Sequence, residues 1–242
     1  MCSILHVSAC TCVFAAPRLC IASILAADVT AGFLVTLACV CASWVPVSHG
    51  STGRSWMNPM GFWKYRNVSK CNCMVSRALL LCALVLALGG VYVLEQPRQS
   101  IVRLHKRFRQ FVEKMCGFEA PVFRQSFWMA HYGSRSWKPT RTWSCAKWIA
   151  KLDKGPLSKF LKKTANMPTT TQYRDSKNQK KFKGNKNLKL TQLLGWKFTP
   201  HMHAWHKSAS MEHAWLINQR TLECQCFLDP LKPWFIRTHV AT

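Results

Sequence analysis

Acidic side chains are what this chain has least of: 242 residues hold 9 Asp and Glu against 34 Lys and Arg, a formal charge of +25. Between Asp28 and Glu113 the only carboxylate is Glu95, so any acid-dependent chemistry in that stretch falls to one residue. Thirteen cysteines are present, yet none shows the Cys-x-x-Cys spacing of a zinc ribbon; eight fall in Cys-x-Cys pairs at 10/12, 39/41, 71/73 and 224/226. They read as small buried hydrophobes or thiols of a reducing compartment rather than a disulfide scaffold. Basic residues are missing ahead of Arg18, so the apolar N-terminus lacks the charged leader of a signal peptide, and an intracellular location is favoured. The sequon at Asn67-Val68-Ser69 has meaning only in an exported chain.

Charge is unevenly spread. Residues 98–198 carry 24 Lys and Arg against 4 acids, and residues 1–97 only 6 against 2. A cysteine-rich apolar half is thus joined to a basic, tryptophan-rich half suited to nucleic acid or an anionic membrane surface. Long uninterrupted apolar helices are also scarce. The uncharged run Ala78 to Leu94 has 17 residues, about 25 Å as a helix against a hydrocarbon core of about 30 Å. Gly89-Gly90 divides it into a helix from about Met74 to Leu88 and a β-favouring Val91-Tyr-Val-Leu94.

Taken in order, residues 1–27 are apolar without clear period and are broken by Pro17. Leu34 to Val40 is a continuous β-branched and aliphatic run, the signature of a buried parallel strand ending at Cys41. A Ser/Gly-rich loop with Arg54 follows, then the helix and second strand, which delivers Glu95 to its carboxyl end before Pro97. Ser100 caps a helix with an apolar stripe of Ile101, Leu104, Phe108, Phe111 and Met115. Val122 to Met129 predicts a strand, Tyr132-Gly133 a turn, Thr140 to Ser144 a strand and Ala146 to Leu152 a short helix. Thr169–Arg174 and Lys180–Lys183 flank turn residues and predict a basic surface hairpin. From Leu193 the composition turns to Trp and His, which predicts an irregular tail. The late ligand-type residues His201, His203, His206, His213, Cys224 and Cys226 match no zinc spacing, and no metal is expected.

The blocks Cys41-Ala-Ser43-Trp44, Ser51-Thr-Gly-Arg54, Leu94-Glu95-Gln96-Pro97 and Tyr132-Gly133 with Lys138-Pro-Thr140 resemble those of a protist family in which they recur. In order, they resemble the catalytic blocks of cytosine-5 DNA methyltransferases: a strand ending in a nucleophile loop, a glutamate block, and a Tyr-Gly turn leading into an arginine-bearing strand. The resemblance covers roughly residues 28 to 192. It implies a Rossmann-like, doubly wound methyltransferase sheet, with Cys41 adding to carbon 6 of cytosine and Glu95 acting as the acid at ring nitrogen 3. Ser43, Arg54, Gln96, Tyr132, Gly133, Lys138 and Arg141 would contact the flipped nucleotide. The cofactor it implies is S-adenosylmethionine, but its Gly-rich binding turn is not visible, since residues 1–40 hold one glycine, Gly32. Val40 stands for the family's proline and Gln96 for its asparagine.

The expectation is therefore an α/β chain in four parts: an apolar segment at 1–27, a partial doubly wound methyltransferase-like domain at 28–150, a basic hairpin-containing extension at 151–192, and an irregular tail at 193–242. Its expected function is that of a degenerate nucleic-acid methyltransferase-like protein, inactive as an enzyme, that retains nucleic-acid binding. Two alternatives stand beside it: a small membrane protein with one or two spans, at 19–47 and 76–94, and a translated fragment without function.

Overall fold

The computed structural model describes residues 33–39, 43–117, 121–184, 187, 198, 200–202 and 204–209, together with the backbone of residues 4–5. These form a mixed α/β structure around one five-stranded sheet of order β1-β2-β3-β5-β4. β1 (Ile4–Leu5), β2 (Leu34–Ala38) and β3 (Val91–Pro97) run parallel; β5 (Pro139–Ser144) runs against β3, and β4 (Phe123–Trp128) against β5.

β2 and β3 are joined through helix α2 (Arg66–Ala87), which follows the single turn α1 (His49–Thr52). Parallel neighbours need such a crossover. α2 starts eight residues before the expected Met74, because Cys71, Val75, Ala78, Cys82 and Val85 continue one buried stripe back toward its amino end. The helix stops where the double glycine directs. Gly89 takes a left-handed φ of 72° and its N–H donates to Leu86 O at 2.9 Å, while Gly90 N–H donates to Val85 O at 2.8 Å. This is a Schellman closure, which satisfies two otherwise orphaned carbonyls. A Cβ on Gly90 would stand 2.8 Å from the Phe33 ring, so glycine is also required for β2 and the helix end to approach. Residues 76–94 are consequently not one helix, since 91–97 pair with strands on both sides. Among the described residues α2 is the one helix long and apolar enough to cross a membrane, and 67% of its most apolar window is buried inside the protein.

Alternation along the strands separates two cores. Phe33 just ahead of β2, Val35 and Leu37 within it, Tyr92 and Leu94 of β3 and Trp143 of β5 face α2 and the segment after β3. There the expected stripe is divided: Ser100 caps a 3-10 turn (Ile101–Leu104), and after His105 α3 (Lys106–Gly117) carries Phe108, Phe111 and Met115 inward. On the other face Leu34, Val93 and Phe127 meet Met129, Tyr132, Trp148, Ile149, Leu152, Phe198 and Met202.

Phe198 and Met202 correct the expectation of an irregular tail. The described residues between 200 and 209 are helical, and Phe198, Met202 and His206 recur every fourth residue as a buried stripe. The polar Trp/His composition had masked that period. The lysine-rich α4 (Lys159–Thr164) is capped by Ser158, and β6 (Thr170–Arg174) pairs with β7 (Lys180–Gly184) as the expected hairpin, exposed throughout.

Candidate functional site

The carboxyl ends of β2 and β3 and the amino end of β5 meet at one sheet edge, the place where open α/β sheets bind ligands. Ala38 lies opposite Glu95, Gln96 opposite Arg141, and Arg141 opposite Ser126 of β4. Cys41 lies outside the described residues, three positions beyond the last residue of β2. Glu95 lies in the carboxyl-terminal half of β3, where the ladder to Ala38 and Thr142 continues through it to Pro97.

As strand neighbours, Glu95 and Gln96 face opposite sides of the sheet. Gln96, fully buried, donates from Nε2 to Cys39 O at 2.8 Å, and its Oε1 accepts from Ser100 Oγ at 3.2 Å. It clamps the end of β2 to the turn after β3. Ile101 N–H adds a second clamp by donating to Trp44 O at 3.0 Å.

Glu95 is 3% exposed, and Lys138 Nζ lies 3.3 Å from its Oε1. That oxygen is within ion-pair reach but is not aligned for a hydrogen bond. Lys138 pays for its reach with a left-handed φ of 33°, unfavourable for a residue with a Cβ. Its carbonyl accepts from Met129 N–H at 3.1 Å and from Thr140 Oγ1 at 3.0 Å, which fixes the strained backbone.

Arg54 and Ser43 form a separate, buried knot. Arg54 Nη1 donates to Pro59 O at 2.6 Å, and Nη2 to Ser43 Oγ at 3.0 Å and Asn72 Oδ1 at 2.9 Å. Its guanidinium lies 3.5 Å from the centre of the Trp44 ring, whose edge meets His105 at 5.6 Å. Burial lowers the Arg54 pKa to about 10. His105 is driven down to about 4 by burial, then by the charges of Arg54 and Arg107, and neither ring nitrogen has a hydrogen-bond partner. These contacts tie the loop after β2 to the amino end of α2, so Arg54 and Ser43 are spent on the protein's own architecture.

Tyr132 and Gly133 serve the opposite face. The buried Tyr132 hydroxyl donates to Leu152 O at 2.8 Å, and burial, with Asp153 nearby, raises its pKa. Gly133, at φ 84°, ends the 3-10 turn Met129–Tyr132. Arg141 remains at the edge, its Nε donating to Ser126 Oγ at 3.2 Å. Burial pushes its pKa down, and Arg124, Arg103 and Arg98 push it further. Beside it opens a cleft of about 400 Å³ lined by Arg98, Gln125, Ser126, Trp128 and Asp153. The edge thus unites Glu95, Gln96, Lys138 and Arg141, while Ser43 and Arg54 lie in the buried knot and Tyr132 and Gly133 across the sheet.

The sequence reading missed Asn72, His105 and the arginine group. Asn72 and His105 had no motif to mark them; the arginines were visible as charge, but their convergence depends on strand register.

The described residues 43–45 and 98–100, after β2 and β3, contain neither glycine nor acid, while residues 6–32 after β1 and 40–42 after β2, where a Gly-rich nucleotide turn would lie, are outside the described residues. Among the described residues no group of three metal-ligand side chains converges. Comparison with protein-family models, with curated proteins and with solved structures finds no match to this chain. What the fold and site define is the class alone: a mixed α/β protein with a basic sheet edge.

Proposed function

We propose that this chain is a degenerate cytosine-5 methyltransferase-like protein, its partial doubly wound sheet retaining nucleic-acid binding without methyl transfer. The observation that carries the reading is adjacency. The end of β2, the Glu95-Gln96 pair of β3 and Arg141 of β5 come from blocks far apart in sequence, yet occupy three neighbouring strands at one edge. The basic hairpin β6–β7 adds to it, since β7 approaches the Pro46–Ser48 turn beyond β2 and brings Lys180, Lys181 and Lys183 to that side. The Glu95–Lys138 ion pair occupies the carboxylate that the resemblance assigns to catalysis, which favours binding over catalysis.

Fluorescence anisotropy of labelled DNA with the full chain tests this. Expected is binding that weakens steeply with salt, without incorporation of methyl groups from S-adenosylmethionine and without a covalent adduct on 5-fluorocytosine DNA. Absent or salt-independent binding would sink the binding claim; a Cys41-dependent adduct would show that catalysis survives. Retention in the membrane fraction through alkaline carbonate extraction would instead favour the apolar α2 as a membrane span.

A further inference from the structure

We propose that the basic sheet edge and the loop ahead of α2 together form a binding track for single-stranded nucleic acid, with Trp56 as its base-stacking platform. This rests on the nucleic-acid reading above and names the strand state and the residues that read it.

Three observations bring the track together. Arg141 and Arg124 lie on the same sheet face in adjacent rows of neighbouring strands, since Arg141 pairs with Ser126 and Arg124 with Trp143. Arg98 joins them by its N–H, which donates to Pro139 O at 2.9 Å, and by lining the cleft with Ser126. Arg103 then carries the charge outward: its guanidinium lies 4.8 Å from the centre of the Trp56 ring. Among the described residues no carboxylate pairs with any of these four arginines, as the ion pairs there are Lys138–Glu95 and Lys181–Asp175. The one acid lining the cleft, Asp153, accepts from Gln125 Nε2 at 3.3 Å and Gly155 N–H at 2.9 Å. Four guanidiniums gathered with no carboxylate paired to them repel one another, which adds to burial in lowering the Arg141 pKa, and phosphate relieves that repulsion.

The aromatic side argues for unpaired bases. Trp56 is 63% exposed and Trp63 81%, with Phe62 and Tyr65 also at the surface. Four large exposed rings within residues 56–65 concentrate apolar surface in one segment, as interaction sites do. Bases within a duplex have their faces already stacked, whereas single strands offer them to aromatic rings while arginines follow the phosphates. An anionic bilayer also takes aromatics and cations, but the open arginine cluster sits on a sheet edge beside a polar cleft, a shape suited to a strand.

The test uses the full chain with labelled oligothymidylate, a duplex of the same length, and vesicles of phosphatidylserine and phosphatidylcholine. Expected is tighter binding of the single strand than of the duplex. Trp56→Ala should weaken single-strand binding roughly 5- to 150-fold, the worth of one stacked base, while leaving the circular dichroism spectrum unchanged. Arg124→Gln should lower the salt slope by about 0.7. If the wild type binds nucleic acid but Trp56→Ala is neutral, while loss of Lys180, Lys181 and Lys183 abolishes binding, the track is wrong and the broader reading stands. If oligothymidylate fails to bind and the vesicles do, both readings fall and the face is a membrane surface. Preference for the duplex would overturn the single-strand assignment alone.

Discussion

Two arginines stack on two tryptophans in this protein, and their surroundings give the pairs opposite uses. Arg54 over Trp44 is buried, and its Nη atoms are taken up by Pro59, Ser43 and Asn72. Arg103 over Trp56 stands at the surface beside three further arginines. A guanidinium desolvated and held through both Nη atoms is a structural tie, costly to remove and closed to ligands. One left among like charges and exposed rings stores binding capacity instead. Residue type and pairing alone do not separate the two; burial and the count of protein acceptors do.

The largest expected effect breaks the buried pair. Arg54→Ala leaves Ser43 Oγ, Asn72 Oδ1 and Pro59 O without their donor and removes the ring contact, at a cost of about 3–4 kcal/mol in unfolding free energy. Urea denaturation would show it as a lowered midpoint; a shift below about 1 kcal/mol would mean that Arg54 is replaceable.

Next in size is the acid response of the same knot. His105 has a folded pKa of about 4 against an ordinary 6.5, so it is buried neutral. Facing it are the Trp44 ring and the charges of Arg54 and Arg107. The unfolded chain binds the proton first; stability is therefore whole above pH 6.5 and is lost as the pH falls from there through about 4. The loss amounts to about 3 kcal/mol at the low end. His105→Leu should flatten that part of the stability profile, and an unchanged profile would place the acid sensitivity elsewhere.

Gly89→Ala sharpens the contrast at the helix end, where a side chain meets a φ of 72°. A loss of about 1–2 kcal/mol is expected by thermal melting. Smallest is Trp56→Ala, within about 0.5 kcal/mol in stability because the ring is at the surface. Large loss of stability there would mean that Trp56 is a packing residue and not a platform.

Much of the fold was legible because its signals are local. The apolar run at β2, the double glycine, the Ser100 cap and the turn residues of the β6–β7 hairpin each act within a few residues. Glu95 was found for the same reason, lying at the end of a β-favouring run. The sheet order was not legible: β5 inserts between β3 and β4, and that register, set by distant pairings, gathers Arg98, Arg124 and Arg141. Nor was the fate of Arg54, since a Gly-Arg in a polar loop reads as accessible until Trp44 and Asn72 close around it. The Phe198, Met202 and His206 stripe had the period of a helix but a composition that suggested none.

The most direct measurement is the salt dependence of single-strand affinity for wild type, Arg141→Gln and Arg54→Met. For wild type, log affinity should fall linearly with log salt, and Arg141→Gln should flatten that slope by about 0.7. Arg54→Met should lower stability yet leave the slope of the remaining folded protein unchanged. A slope near zero in the wild type, or an equal change of slope in both variants, would contradict the assignment of binding to the exposed edge and structure to the buried knot.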